Sequence, residues 1–81
     1  MNEREIQICE DQARQVSLLL AKRREELSLS KKAVSERSGL SRSAVLRIEN
    51  GERVPSLNTL LRHAKALDVK LWELIKSVEV D

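Results

Sequence analysis

Donor-rich side chains are concentrated in one short stretch of the chain, SKKAVSERSGLSRSAVLRIENG, which spans residues 30–51. Lys31, Lys32, Arg42, Ser43 and Arg47 fall there at spacings that leave them on the outer side of helices. Lysine and arginine neutralise anions, and arginine and serine also donate directed hydrogen bonds. These residue types therefore indicate a site that binds a polyanion rather than one that catalyses a reaction.

The other positions of the same stretch indicate how these donors are held. Small or apolar residues alternate with the donors at helical spacing and would face the rest of the protein, namely Ala33, Val34, Leu40, Val45 and Ile48. Gly39 leaves room only for a tight turn between two short helices. This pattern is typical of a helix-turn-helix, whose second helix enters the major groove of DNA, although other helix pairs also have glycine turns.

Catalytic and metal-binding patterns are missing from the sequence. It contains no nucleophile paired with a base, no paired carboxylates and no phosphate-cradling loop, so we expect no enzyme activity, no cofactor and no metal site. The single His63 is expected to be half-buried at the edge of the core. The single Cys9 excludes an internal disulfide and is expected to be a small buried hydrophobe. Without a recognisable signal peptide or membrane span, the cytoplasm is the expected location.

Charge and composition agree with a helical protein that presents one basic surface. The chain of 81 residues is 41% hydrophobic and 35% charged, with 2 glycines, 1 proline and Trp72 as its single aromatic residue, which favours an all-α fold in one domain, residues 1–81. The net charge is only +2, but residues 22–53 hold 9 basic and 5 acidic side chains. A local basic excess suits one face turned toward a polyanion, although charge-rich helix surfaces are often merely solvated.

Caps and apolar periodicity predict five helices. The first spans about residues 10–27 after a short N-terminal extension, the second residues 31–38 between Ser30 and Gly39, and the third residues 42–50 after Ser41. The fourth begins after Ser56 and ends near residue 68, and the fifth spans residues 71–78. The fourth carries an apolar stripe of Leu57, Leu60, Leu61, Ala64 and Leu67, and helices four and five are expected to supply most of the core.

Residues 16–76 strongly resemble the Cro and lambda-repressor type of helix-turn-helix, also called the XRE family. The matching features are Arg24, Ser30, Gly39, the run RIENG at residues 47–51, Pro55-Ser56, and the leucine and alanine pattern from Leu60 to Leu74. The resemblance implies a five-helix, lambda-repressor-like DNA-binding domain that acts as a transcriptional regulator. Restriction-modification controllers, antitoxins and phage repressors all remain possible.

The resemblance also implies roles for individual residues. Helix 42–50 becomes the recognition helix, with Arg42, Ser43, Leu46 and Arg47 facing the bases, and Asn50 and Arg53 holding the DNA backbone. Lys31 and Lys32, at the start of the second helix, are expected to contact phosphates. Lys31 replaces the family's usual glutamine, and because lysine lacks the amide of glutamine, Lys31 is not expected to read a base. Leu46 replaces a usual polar residue, and it either contacts a thymine methyl or is an exposed apolar side chain.

Two further positions are implied to be structural. In the family, an ion pair at the positions of Arg24 and Glu49 ties the first helix to the end of the recognition helix. Here the alternative is that these are two unrelated surface charges. Ser35 occupies a position where the family prefers alanine, and its hydroxyl is expected to bond back to a carbonyl.

Apolar residues that a monomer does not need predict a homodimer. Trp72 and Ile75 lie on the fifth helix, and further apolar side chains occur at the chain ends. We expect Trp72 and Ile75 to lie at a two-fold interface near the N-terminal segment, so that the operator is a rough palindrome. The alternative is that the N-terminal segment covers Trp72 within one chain. The rival function is a protein-interaction or antitoxin module with a partner such as a toxin.

Overall fold

A computed structural model of the chain describes residues 1–52 and 55–78. Within these ranges it contains five helices and no strand, which confirms the predicted all-α, five-helix fold. In chain order they are α1 (Glu3–Glu26), α2 (Lys31–Ser38), α3 (Arg42–Glu49), α4 (Leu57–Ala66) and α5 (Leu71–Val78).

The first helix is longer than predicted. It begins at Glu3 rather than near residue 10, so the expected N-terminal extension is helical and continuous with α1. A capping box fixes this start: the Asn2 side chain accepts a hydrogen bond from the Glu5 amide at 2.9 Å, and the Glu5 carboxylate accepts one from the Asn2 amide at 3.2 Å. Apolar periodicity missed it because residues 1–11 are all exposed.

The remaining helix limits follow the predicted caps. Ser30, Ser41 and Ser56 are the N-caps of α2, α3 and α4, and each accepts a hydrogen bond from the amide three residues on. Gly39 ends α2 in the left-handed conformation, with φ of 74°, which glycine adopts without steric cost.

The core is shared among all five helices. α1 packs on α3 and α5, α2 on α3 and α4, and α4 on α5. The buried apolar side chains are Val16, Leu20, Val34, Val45, Ile48, Ala64, Ala66, Leu67, Leu71 and Val78. The prediction that helices four and five supply most of the core is therefore wrong. Leu57 and Leu61 of the predicted stripe are largely exposed, because only one edge of α4 faces inward.

Candidate nucleic-acid interface

α3 has two sharply different sides. Val45 and Ile48 are buried in the core. The four side chains expected to face bases, Arg42, Ser43, Leu46 and Arg47, are all exposed. The structure therefore brings these four together on the outer surface of one helix, as the sequence predicted for a helix that presents donors to an external partner.

Serine hydroxyls fix the turn that sets α2 against α3. Ser35 donates a hydrogen bond to the Leu40 carbonyl at 2.5 Å, and the Leu40 amide donates to the Ser38 hydroxyl at 3.1 Å. Ser35 was expected to bond back to a carbonyl, but the carbonyl that it contacts lies further along the chain, across the turn. These bonds satisfy the backbone amide and carbonyl of Leu40 within the turn, so Ser35 helps to fix the angle between the two helices.

Arg62 is a structural residue that the sequence did not identify. Its Nε donates to the Ser38 carbonyl at 3.1 Å, from α4 to the end of α2. A Cβ at Gly39 would come within 2.9 Å of its Nη2. The Arg62 guanidinium thus holds the turn between α2 and α3 from the α4 side. No local sequence pattern predicts this contact, because the two residues are 24 positions apart.

Arg24 and Glu49 form a two-bond ion pair, here called the clasp. Arg24 Nε lies 2.6 Å from Glu49 Oε2, and Nη2 lies 3.0 Å from Oε1. Arg24 Nη1 also donates to the Leu29 carbonyl at 2.8 Å, which ties in the loop before α2. The hydrogen bond to Glu49 raises the pKa of Arg24 above its ordinary value. In place of two unrelated surface charges, the structure has a largely buried bridge from α1 to the end of α3.

His63 lies inside the core, next to the clasp. It is fully buried, not half-buried as predicted, and neither ring nitrogen has a hydrogen-bond partner among the described residues. Burial lowers the pKa of His63; the nearby Glu49 carboxylate opposes this shift and the Arg24 guanidinium adds to it. A neutral imidazole therefore fills this part of the core, because a buried cation without a partner is costly.

The cationic residues at the start of α2 are free to meet an anion. Lys31 and Lys32 are both exposed, and the first turns of α2, α3 and α4 contain no acidic residue. By contrast, α1 has Glu3 and Glu5 in its first turn. The positive ends of the three helix dipoles around the site are therefore not neutralised by the helices' own side chains.

The structure describes only one of the two residues that are expected to contact the DNA backbone. Asn50 is exposed at the end of α3, but its Nδ2 already donates to the Glu52 carboxylate at 3.0 Å. Arg53 lies outside the described residues.

The two residues expected at a dimer interface lie on the surface. Trp72 is 60% exposed, and Ile75 follows one turn later on the same side of α5. The alternative in which the N-terminal segment covers Trp72 within one chain is wrong, because that segment extends as the exposed start of α1.

Other candidate chemistry is sparse in the parts of the chain that the structure describes. No group of three or more His, Cys, Asp or Glu residues lies close enough to hold a metal ion. Cys9 is exposed, so the prediction of a buried hydrophobe is wrong. Over the same residues, no helix is both long and apolar enough to cross a membrane.

This fold and this surface define a protein that binds DNA through a helix-turn-helix. A helix-turn-helix family model matches residues 20–74, more than half of the chain, which therefore belongs to that family, of the Cro and lambda-repressor (XRE) type. The chain is also similar to the solved structure of the restriction-modification controller protein C.AhdI from Aeromonas hydrophila. The two are 36% identical with a TM-score of 0.71, over 79% of this chain and 96% of that one. No match was found among curated proteins. The protein is a DNA-binding transcriptional regulator.

Proposed function

We propose that the protein binds double-stranded DNA sequence-specifically, with α3 in the major groove. The observation that carries this proposal is the exposed row of Arg42, Ser43 and Arg47 on a helix whose opposite side is fixed in the core. The major groove admits an α-helix and presents a distinct pattern of donors and acceptors for each base pair. The clasp supports the proposal because it holds the end of α3 against α1.

Arg42 and Arg47 are the proposed base contacts. A guanidinium can donate two hydrogen bonds to O6 and N7 of guanine, which makes guanine their preferred base. Leu46, exposed between them, would contact a thymine methyl. Ser43 can either donate or accept, so it is compatible with several bases.

Phosphate contacts supply the rest of the proposed affinity. Lys31 and Lys32 project from the start of α2, and Asn50 and Arg53 follow α3. The backbone amides at the starts of the helices add donors aligned with a positive dipole. For Asn50 to contact a phosphate, its amide would exchange Glu52 for the new acceptor.

The proposed regulator acts as a homodimer. Trp72 and Ile75 form part of an exposed apolar surface on α5, and aromatic residues of this kind are enriched at interfaces. A two-fold dimer would present two copies of α3 to half-sites about 34 Å apart, so the operator would be a rough palindrome.

Among regulators of this family, we favour a controller of restriction-modification genes, because the similar structure is that of such a controller. We also propose that the chain has no catalytic activity, since the site presents donors without a nucleophile and base. Action on bacterial or phage DNA would place the protein in the cytoplasm.

Binding to fragments of the protein's own promoter tests this function. We expect electrophoretic shifts with those fragments at concentrations at least about a thousandfold below those needed for random DNA of equal length. Equal affinity for both across a range of salt concentrations would refute sequence-specific binding. It would favour the rival function, a protein-interaction or antitoxin module.

A further inference from the structure

An apolar groove runs between α4 and α5. It is lined by Leu57, Leu61, Trp72 and Ile75, all of them about half exposed or more. Four large apolar side chains exposed side by side are typical of a surface that binds another molecule. We therefore expect another apolar segment to bind in this groove.

The rim of this groove carries more basic than acidic side chains. The basic side chains are Arg23, Lys65 and Lys70, and the acidic ones are Asp68 and Glu73. An apolar segment with acidic flanks would suit it best, because opposite charges at an interface favour one partner and register over others.

The first part of α1 is such a segment. Residues 3–11, here called the arm, are all exposed and precede the packed portion of the helix, and the protein measures 39 Å along its longest axis. Ile6, Cys9 and Ala13 continue, at alternating spacings of three and four, the side of α1 that buries Val16 and Leu20. The core-facing side of α1 thus extends into solvent as an apolar strip.

Acidic residues border this strip on both sides. Helical geometry places Glu5 on one side and Glu3 and Glu10 on the other. Two arms packed strip against strip would bring glutamates together, and such like-charge contacts are destabilising. Arm-to-arm pairing is therefore disfavoured.

The arm cannot reach the groove of its own chain. Ile6 precedes Arg23, at the rim of the groove, by seventeen residues of one continuous helix, which is about 26 Å. α1 contains no glycine or proline at which it could bend back. Among the described residues, no other segment of the same chain is left to cover the groove, so we look for its occupant in another molecule.

We propose that the arm of one protomer docks in the apolar groove of a second copy, and that the exchange is reciprocal. A two-fold axis perpendicular to α1 sets the two α1 helices antiparallel, which brings each arm to the Arg23 end of its partner. Ile6 and Cys9 then cover Trp72 and Leu61, and the glutamates of the arm face the lysines of the rim. This proposal rests on the proposed homodimer and identifies the segment that fills its interface.

Two matched variants test the proposal by sedimentation. Ile6 and Ile8 are each 45% exposed, but they lie on opposite sides of α1. Ile6→Glu should weaken the dimer about tenfold or more, whereas Ile8→Glu should leave its dissociation constant within about twofold. Equal effects of the two variants, or no effect of either, would overturn the arm proposal while leaving the dimer standing. A monomeric wild type would instead refute the dimer itself.

Cysteine cross-linking distinguishes the ways in which two copies could pair. Cys9 lies on the apolar strip, so Leu61→Cys should give, under mild oxidation, a disulfide between Cys9 of one protomer and the introduced thiol of the other. The wild type and the double variant Cys9→Ser, Leu61→Cys should form no cross-link. A wild-type cross-link would show arm-to-arm pairing, and a cross-link in the double variant would show groove-to-groove pairing. Either would overturn the proposal.

Discussion

The Arg24 guanidinium holds the Glu49 carboxylate through two hydrogen bonds, of 2.6 Å and 3.0 Å, across the junction between α1 and the end of α3. Both side chains are largely buried, with 15% and 5% exposed. A bidentate guanidinium–carboxylate contact fixes orientation as well as distance. The clasp thus fixes the orientation of α3 relative to the rest of the domain.

Removing one partner of the clasp should leave a buried charge. We expect Glu49→Ala to lower the free energy of unfolding by about 3 kcal/mol, because the largely buried Arg24 guanidinium would lose its counter-charge without gaining full hydration. The control is Asp11→Ala, which removes an ion pair of 3.1 Å to Arg14 whose side chains are about half exposed; its cost should stay below about 1 kcal/mol. Urea denaturation measures both. Similar losses for the two variants would mean that the clasp is no more than a surface pair.

His63 should make the protein sensitive to mild acid. Burial lowers the pKa of His63 in the folded state, so the unfolded chain binds a proton first as the pH falls. The free energy of unfolding should be constant above about pH 7.5 and decrease below about pH 6.5, by at most about 1.4 kcal/mol per pH unit. His63→Leu, of similar volume, should remove this decrease. Urea denaturation between pH 7.5 and 5.5 checks the prediction, and identical profiles for the two proteins would contradict it.

Local signals predicted the helices of the site well. Ser30, Ser41 and Gly39 act through the backbone next to them, so their effect on α2 and α3 can be recognised from the sequence. The Arg24–Glu49 pair was implied by the family resemblance. Apolar periodicity within residues 30–51 separated the inner side of α3 from its outer side.

Long-range contacts account for most of what the sequence could not predict. The burial of His63 and the bond from Arg62 to the turn depend on how α4 lies against α2, which no local pattern encodes. Leu57 and Leu61 have the spacing of core residues, yet α4 turns them into the exposed groove. The early start of α1 did have a local signal, the Asn2 and Glu5 capping box, but no apolar burial accompanies it.

Phosphate neutralisation should make DNA binding depend steeply on salt. With about four phosphates contacted per subunit, each subunit should contribute a slope of roughly −3 to −4 in a plot of log affinity against log salt concentration. Lys31→Ala should reduce the magnitude of the slope by about one. Lys76→Ala, an exposed lysine on α5, should not change it. Fluorescence anisotropy measures the slope, and a value near zero for the wild type would contradict the proposed phosphate contacts.

Truncation of Trp72 should weaken the dimer. Truncation of an aromatic hot spot buried by a partner costs about 2 kcal/mol or more, so Trp72→Ala should raise the dimer dissociation constant by about thirtyfold. Leu18→Ala is the control, because Leu18 is exposed on the outer side of α1. Sedimentation at micromolar concentration compares them. A Trp72→Ala dimer as tight as the wild type would show that α5 is not the interface.

Base recognition by α3 can be measured as the effect of Arg47→Ala on the ratio of affinities for operator and random DNA. Loss of the Arg47 contact should weaken operator binding by about 1 to 3 kcal/mol and relax the preference at one base pair, while binding to random DNA changes little. Lys32→Ala is the matched control, and it should weaken both DNAs equally and leave the ratio unchanged. If Arg47→Ala also lowers both affinities equally, Arg47 contacts only phosphate and base recognition by this residue is contradicted.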